Sequence, residues 1–239
     1  MLCNSGHLLL GMNNRLGIRY FCGDRDIYTH RNFDGIENYR RAYSKVTDTF
    51  HGRMYDFAEI RSMLYEAGWF DDDMVSYSVY SGLDYPQYIF SAGFVPNEDL
   101  INRIRPKYGY PDAVFLEEER LYAGLMDNGM FHQMANAYLF DCSAGLKKEN
   151  LVWEVSNALE RVPKHAFSTI ITSKGVQKKS YDEKGNHSLK LLAYNTRRLK
   201  DKDIPVVAGQ YHEINGQGIY SSDFVPAQTG RSTLTSVAN

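Results

Sequence analysis

The sequence predicts an α/β protein in two parts: a sheet covered by helices, then a smaller α+β module. Three observations predict it. Leu8-Leu9-Leu10, bounded by Gly6 and Gly11, is a fully apolar run that reads as a strand buried on both faces, the situation inside a parallel sheet. A well-punctuated amphipathic helix pattern follows between Asp56 and Gly68. From about residue 150 the pattern changes to short β segments around one helix.

In chain order, residues 12–54 show little periodicity and many turn residues, and are read as a lid or insertion. Asp56 is placed to cap the next helix, Glu59 completes a capping box and Gly68 ends it, with Phe57, Ile60, Met63, Leu64 and Ala67 on one face. Met74 to Tyr80 alternates Val75, Tyr77 and Val79 with Ser76 and Ser78, the period of a strand with two unlike faces. Tyr88-Ile89-Phe90 predicts a shorter strand, followed by an insertion through Pro96, Pro106 and Pro111. Glu117-Glu118-Glu119 opens a helix to Asn128 with a stop at Gly129, and the acids are read as a solvated helix N-terminus. Residues 135–142 form a further strand.

In the second part, 151–155, 167–172 and 176–181 read as strands, with Ser173-Lys174-Gly175 as a hairpin turn. A helix from His187 to Lys200 follows, then strands over 204–211 and 218–225. The tail 228–239, rich in Thr and Ser, is expected to be disordered.

Composition narrows the function classes. The 239 residues, 43% hydrophobic and 23% charged, describe a globular chain of one or two domains rather than a disordered one. A net charge of -2 gives no electrostatic case for nucleic acid or an anionic membrane. Three widely spaced cysteines, Cys3, Cys22 and Cys142, argue against a disulfide framework and for a reducing cytoplasm. No apolar stretch approaches the ~20 residues of a membrane span. The seven histidines show no zinc-site spacing, so no metal is expected. Eighteen tyrosines fit either half-buried packing or stacking on sugars.

The segment His7-Leu8-Leu9-Leu10-Gly11-Met12-Asn13-Asn14-Arg15-Leu16-Gly17-Ile18-Arg19-Tyr20-Phe21-Cys22-Gly23 resembles the fifth-strand region of bacterial class I S-adenosylmethionine-dependent methyltransferases associated with cell-surface polysaccharide genes. The resemblance continues through Asn32-Phe33-Asp34-Gly35-Ile36-Glu37-Asn38-Tyr39, Arg53-Met54-Tyr55, Glu66-Ala67-Gly68-Trp69 and the run from Asp127 to Tyr138, and covers roughly the first 145 residues. Met12-Asn13 departs from the usual Ile-Glu of the family, which puts an acidic role there in doubt. The resemblance implies a Rossmann-like sheet whose last strand is 135–142, with S-adenosylmethionine as cofactor and a small-molecule or glycoconjugate acceptor. The Gly-rich turn and ribose-binding acid of such folds are not found, so residues 1–145 are expected to be the C-terminal portion of a methyltransferase domain that binds the cofactor poorly alone. The following three strands, helix and two strands, over 150–227, look like the small lobe of a kinase fold.

Site candidates follow. Asn13, Asn14, Arg15 and Tyr20 sit just beyond the opening strand, where ligands of open α/β sheets bind, and are the cofactor or acceptor candidates. Tyr28 is a further acceptor-contact candidate. The competing reading of Asn13-Asn14 is a tight turn, and that of Tyr20 and Tyr28 is packing. His132 is the candidate base, against a structural histidine near a strand start. Lys178 and Lys179 are nucleotide-binding candidates if the second module is a phosphotransferase fragment, against a solvated strand. The rival to an enzyme is an interaction module that pairs an exposed sheet edge with a partner protein.

Overall fold

The structure is a computed structural model that describes residues 6–96, 98–143 and 152–225. The chain divides into two compact units, Met1–Leu159 and Glu160–Asn239. The tail expected to be disordered and the 145–150 junction lie outside the described residues.

The first unit is built from β1 (Leu8–Asn13), a one-turn helix α1 (Ile18–Phe21), α2 (Phe57–Glu66), β2 (Met74–Tyr80), β3 (Tyr88–Ser91), α3 (Tyr122–Asp127), β4 (Ala137–Cys142) and β5 (Val152–Asn157). Its strands run in the order β1-β4-β2-β3-β5. Every neighbouring pair is antiparallel. The expected parallel sheet is therefore corrected, although the α/β class holds. β4 slots between β1 and β2, so those two run parallel to each other without touching.

β1 is also not buried on both faces. Its only strand partner among the described residues is β4, and Leu9 is 65% exposed. Leu8, Leu10 and Met12 face the core. A run of three leucines carries no period, so the sequence did not distinguish a central strand from an edge strand with one packed face.

Opposite Leu10 and Met12 in register stand Phe140 and Tyr138, and Ser76 and Ser78 of β2 stand opposite the same two residues. The serines of β2 thus share a face with the largest aromatics of the core, and the small side chains leave room for them. α2 covers this face: Phe57 stacks on Phe140 at 5.6 Å and meets Tyr138 edge-on at 5.1 Å, while Ile60 and Leu64 are buried. Farther along, Tyr80 stacks on Phe131 at 4.7 Å and meets Tyr122 edge-on at 5.3 Å, geometries that aromatic quadrupoles favour. α2 forms where its punctuation predicts. The Asp56 carboxylate accepts from Glu59 N–H at 2.9 Å, and the Glu59 carboxylate accepts from Asp56 N–H at 2.8 Å.

The second unit comprises β6 (Phe167–Thr172), β7 (Gly175–Ser180), α4 (Glu183–Lys200), β8 (Gln210–Ile214) and β9 (Gln217–Ser222). Its antiparallel order is β6-β7-β9-β8, with α4 packed mainly on β9. α4 starts before His187 because Asp182 caps it, accepting from Gly185 N–H at 3.0 Å. β5, read from sequence as the first strand of this unit, lies within Met1–Leu159 and pairs with β3. Among the described residues, no helix is long and apolar enough to cross a membrane.

Candidate functional site

At the carboxyl end of β1 the chain turns on Asn14, which is fully buried. Its Oδ1 accepts from Leu16 N–H at 3.0 Å, the local turn bond. Its Nδ2 donates to the carbonyls of Gln133 (3.0 Å) and Ala135 (2.8 Å) and to the Tyr138 hydroxyl (3.0 Å). Asn14 therefore ties the end of β1 to the approach to β4, and no polar atom of its amide is left for a ligand. Asn13 closes β1 opposite Ala137.

Arg15 reaches the other way. Its guanidinium is paired with Asp56 and, at 2.9 Å, with Glu59, so it grips the cap of α2. Burial works to raise the Glu59 pKa, but the Asp56 N–H and the Arg15 and Arg53 guanidiniums outweigh it and hold the carboxyl below its usual value. Tyr20 is 3% exposed, and burial pushes its phenol well above the usual range. These four residues anchor the segment that follows them.

That segment, 23–54, is a compact irregular loop organised by inward-facing carboxylates. Asp24 receives Arg19 Nε at 2.9 Å. Asp26 accepts from the N–H groups of Tyr28 (2.8 Å) and Thr29 (3.0 Å) and from the Tyr39 hydroxyl (2.8 Å). Asp34 pairs with Arg31 at 2.7 Å. His30, Phe33, Asn38 and Tyr39 hold left-handed backbone conformations, with φ between 55 and 68°. Each costs of order 1–3 kcal/mol and persists only where surroundings over-determine it. Gly52, at φ +126°, lies on the Tyr28 ring, where a Cβ would come within 2.6 Å of an aromatic carbon.

The loop encloses an open groove of about 610 Å³, in the size range of small-molecule sites, lined by Tyr28, His30, Arg31, Tyr43, Asp48 and His51 among others. His30 is fixed from across the fold, its Nδ1 2.6 Å from the Tyr110 hydroxyl. Tyr43 is fixed by donating to the Gly52 carbonyl at 2.7 Å. One aromatic wall, Tyr43, and one imidazole, His30, are thus held before any ligand arrives.

Comparison with known proteins finds no match. No protein-family model, curated protein or solved structure is similar to this chain.

His132 lies away from the groove. Its Nδ1 is 2.9 Å from Ser78 Oγ, and burial lowers its pKa, against a raising contribution from the Phe94 backbone. Lys178 is half-buried, donates to Thr169 Oγ1 at 3.0 Å and lies 5.2 Å from the Phe167 ring centre. Burial and then Arg161 lower its pKa. Lys179, the next residue on β7, points to the opposite face, so the two lysines do not act on one ligand.

Two features escaped the sequence reading. The groove histidines have no spacing that announces them; only Tyr28, nominated for acceptor contact, led toward it. The second is Glu118, read as part of a solvated triplet and in fact fully buried. A 3₁₀ turn over Glu118–Arg120 points it inward, where Oε1 accepts from Tyr122 Oη (2.8 Å) and Asn136 Nδ2 (2.7 Å), while Oε2 has no hydrogen-bond partner among the described residues. Burial, outweighing those two donors and Arg19, pushes its pKa up to about 7. The neighbouring pattern is inverted, with Phe115 62% and Leu116 45% exposed.

Proposed function

We propose that this chain is the later, acceptor-holding part of an S-adenosylmethionine-dependent methyltransferase acting on a glycoconjugate, with the 23–54 loop as the acceptor site. The observation that carries the reading is the pairing of β1 with β4. These are the two segments that the resemblance assigns to one sheet, and they join in full register from Leu8↔Cys142 to Asn13↔Ala137. The loop leaves the carboxyl end of β1, where ligands of open α/β sheets gather.

The residues nominated for the cofactor do not fit it. Asn14 has spent its amide on the protein, Arg15 is held by two carboxylates and Tyr20 is buried. What the chain supplies is a fixed groove in which an acceptor hydroxyl is oriented, the contribution that proximity makes to group transfer.

Calorimetric titration of S-adenosylmethionine tests this, using the chain and the chain lengthened by its upstream coding sequence. Heat of binding from the lengthened chain alone is expected. Binding by this chain, lost in Asn13→Ala, would overturn the assignment of the nominated residues to anchoring. No binding by either form would overturn the methyltransferase reading.

The outer edge of β1, which has no strand partner among the described residues, favours a second reading, an interaction module that adds a partner's strand there. It predicts that a proline at Leu9, which removes a backbone N–H, abolishes co-purification of a stoichiometric partner. Absence of such a partner from the unaltered chain would refute it.

A further inference from the structure

The 23–54 loop separates its charges. Asp24, Asp26 and Asp34 are buried and spent on backbone N–H groups, Tyr39, Arg19 and Arg31, whereas Arg25, His30, Arg31, Arg40, Arg41, Lys45 and His51 are exposed. On the exposed side the acids are Asp48, at the groove, and Glu37, which is half-buried and pairs with Arg41 at 2.9 Å. A surface whose anions have been turned inward presents a positive potential, and a concave shape concentrates it.

We propose that the groove binds a phosphoryl group carried on a small hydroxylated molecule, with Arg31, His30 and His51 facing the anion and Tyr28 and Tyr43 flanking it. This names the ligand chemistry of the groove and rests on the acceptor reading above for the rest of the molecule. Arg31 is the residue type suited to a phosphoryl group, since a planar guanidinium offers paired donors. Asp34 holds it from behind through Nε at 2.7 Å. His30 is held through Nδ1 by Tyr110, whose ring the Arg25 guanidinium overlies at 5.3 Å, so Nε2 is the ring atom turned to a ligand. Asp48 is the opposing charge on the lining, and it also accepts from Lys45 N–H at 2.9 Å.

The test is NMR observation of the histidine ring protons of the full chain during titration with inorganic phosphate, glucose 1-phosphate, glucuronate and glucose, each to about 20 mM. Phosphate and glucose 1-phosphate are expected to shift His30 and His51 while leaving His132 in place. Tighter binding of glucose 1-phosphate than of phosphate identifies a sugar phosphate; equal binding identifies the free anion, and either supports the site. His51→Ala and, separately, Arg31→Gln are expected to weaken binding about tenfold with unchanged amide dispersion. Equal shifts from glucose, a response to glucuronate alone, no shift from any of the four, or unaltered affinity in His51→Ala would overturn the proposal. Phosphate binding without any cofactor binding by the lengthened chain would leave this site standing and remove only the methyltransferase reading.

Discussion

Asn14 shows at the scale of one residue how a plausible ligand contact becomes a fastener. Its turn bond to Leu16 is local and was legible from the Asn-Asn pair. The three bonds from Nδ2 reach residues 119, 121 and 124 positions away, and nothing in the sequence announces them. Asn14→Asp keeps the shape but sets a carboxylate against two carbonyls in a buried site. A loss of about 3–5 kcal/mol is expected in urea unfolding. A loss below about 0.5 kcal/mol would show that the site relaxes and that Asn14 is not a fastener. Glu118 teaches the same lesson from the other side. Three consecutive glutamates are chemically identical in sequence, and only the pitch of the 3₁₀ turn selects the middle one for the interior.

At the scale of elements, α2 was legible because all its signals are local: cap, box, apolar stripe and glycine stop. What could not be read is that the cap also anchors the groove loop through Arg15. Asp56→Ala is expected to cost about 1–2 kcal/mol for the cap. It should also shift the NMR signals of the loop around Gly35, whose carbonyl Arg15 approaches at 3.5 Å. A stability loss without that shift would mean that Arg15 holds the loop through Glu59 alone. In α4, Leu189 is the fully buried contact with the sheet. Leu189→Ala is expected to cost about 2–5 kcal/mol and to speed hydrogen exchange in β7 and β9. Unchanged exchange would argue that α4 is not what covers them. β1 was the failed element, since its partner was set by a strand far along the chain and not by its own leucines.

For the whole molecule, buried Glu118 gives folding a pH dependence with a definite sign. Its folded-state pKa of about 7 lies above the ordinary 4.5. Between those values the native state keeps a proton that the unfolded chain has released, so stability is greatest below the lower value. It falls as pH rises toward the upper one and then levels. At about 1.4 kcal/mol per pH unit, the loss is on the order of 3 kcal/mol. His132, whose pKa is lowered, contributes the opposite slope as pH falls through its range. Comparing the chain with Glu118→Gln cancels that contribution. Unfolding in urea at about pH 5 and about pH 8 should show the variant gaining relative to the parent only at the higher pH. Equal offsets at both pH values would mean that Glu118 is ionised throughout.

The position of β4 also orders events during synthesis. β1 is made well before its one described strand partner, which begins at Ala137. At about 5–20 residues per second, the edge strand waits roughly 6–25 s for that partner on the ribosome. β2, likewise flanked by β4, can meanwhile form its hairpin with β3. Three adjacent leucines exposed for that interval are a natural binding motif for a nascent-chain chaperone, and β4 is the strand that then joins β1 to the sheet.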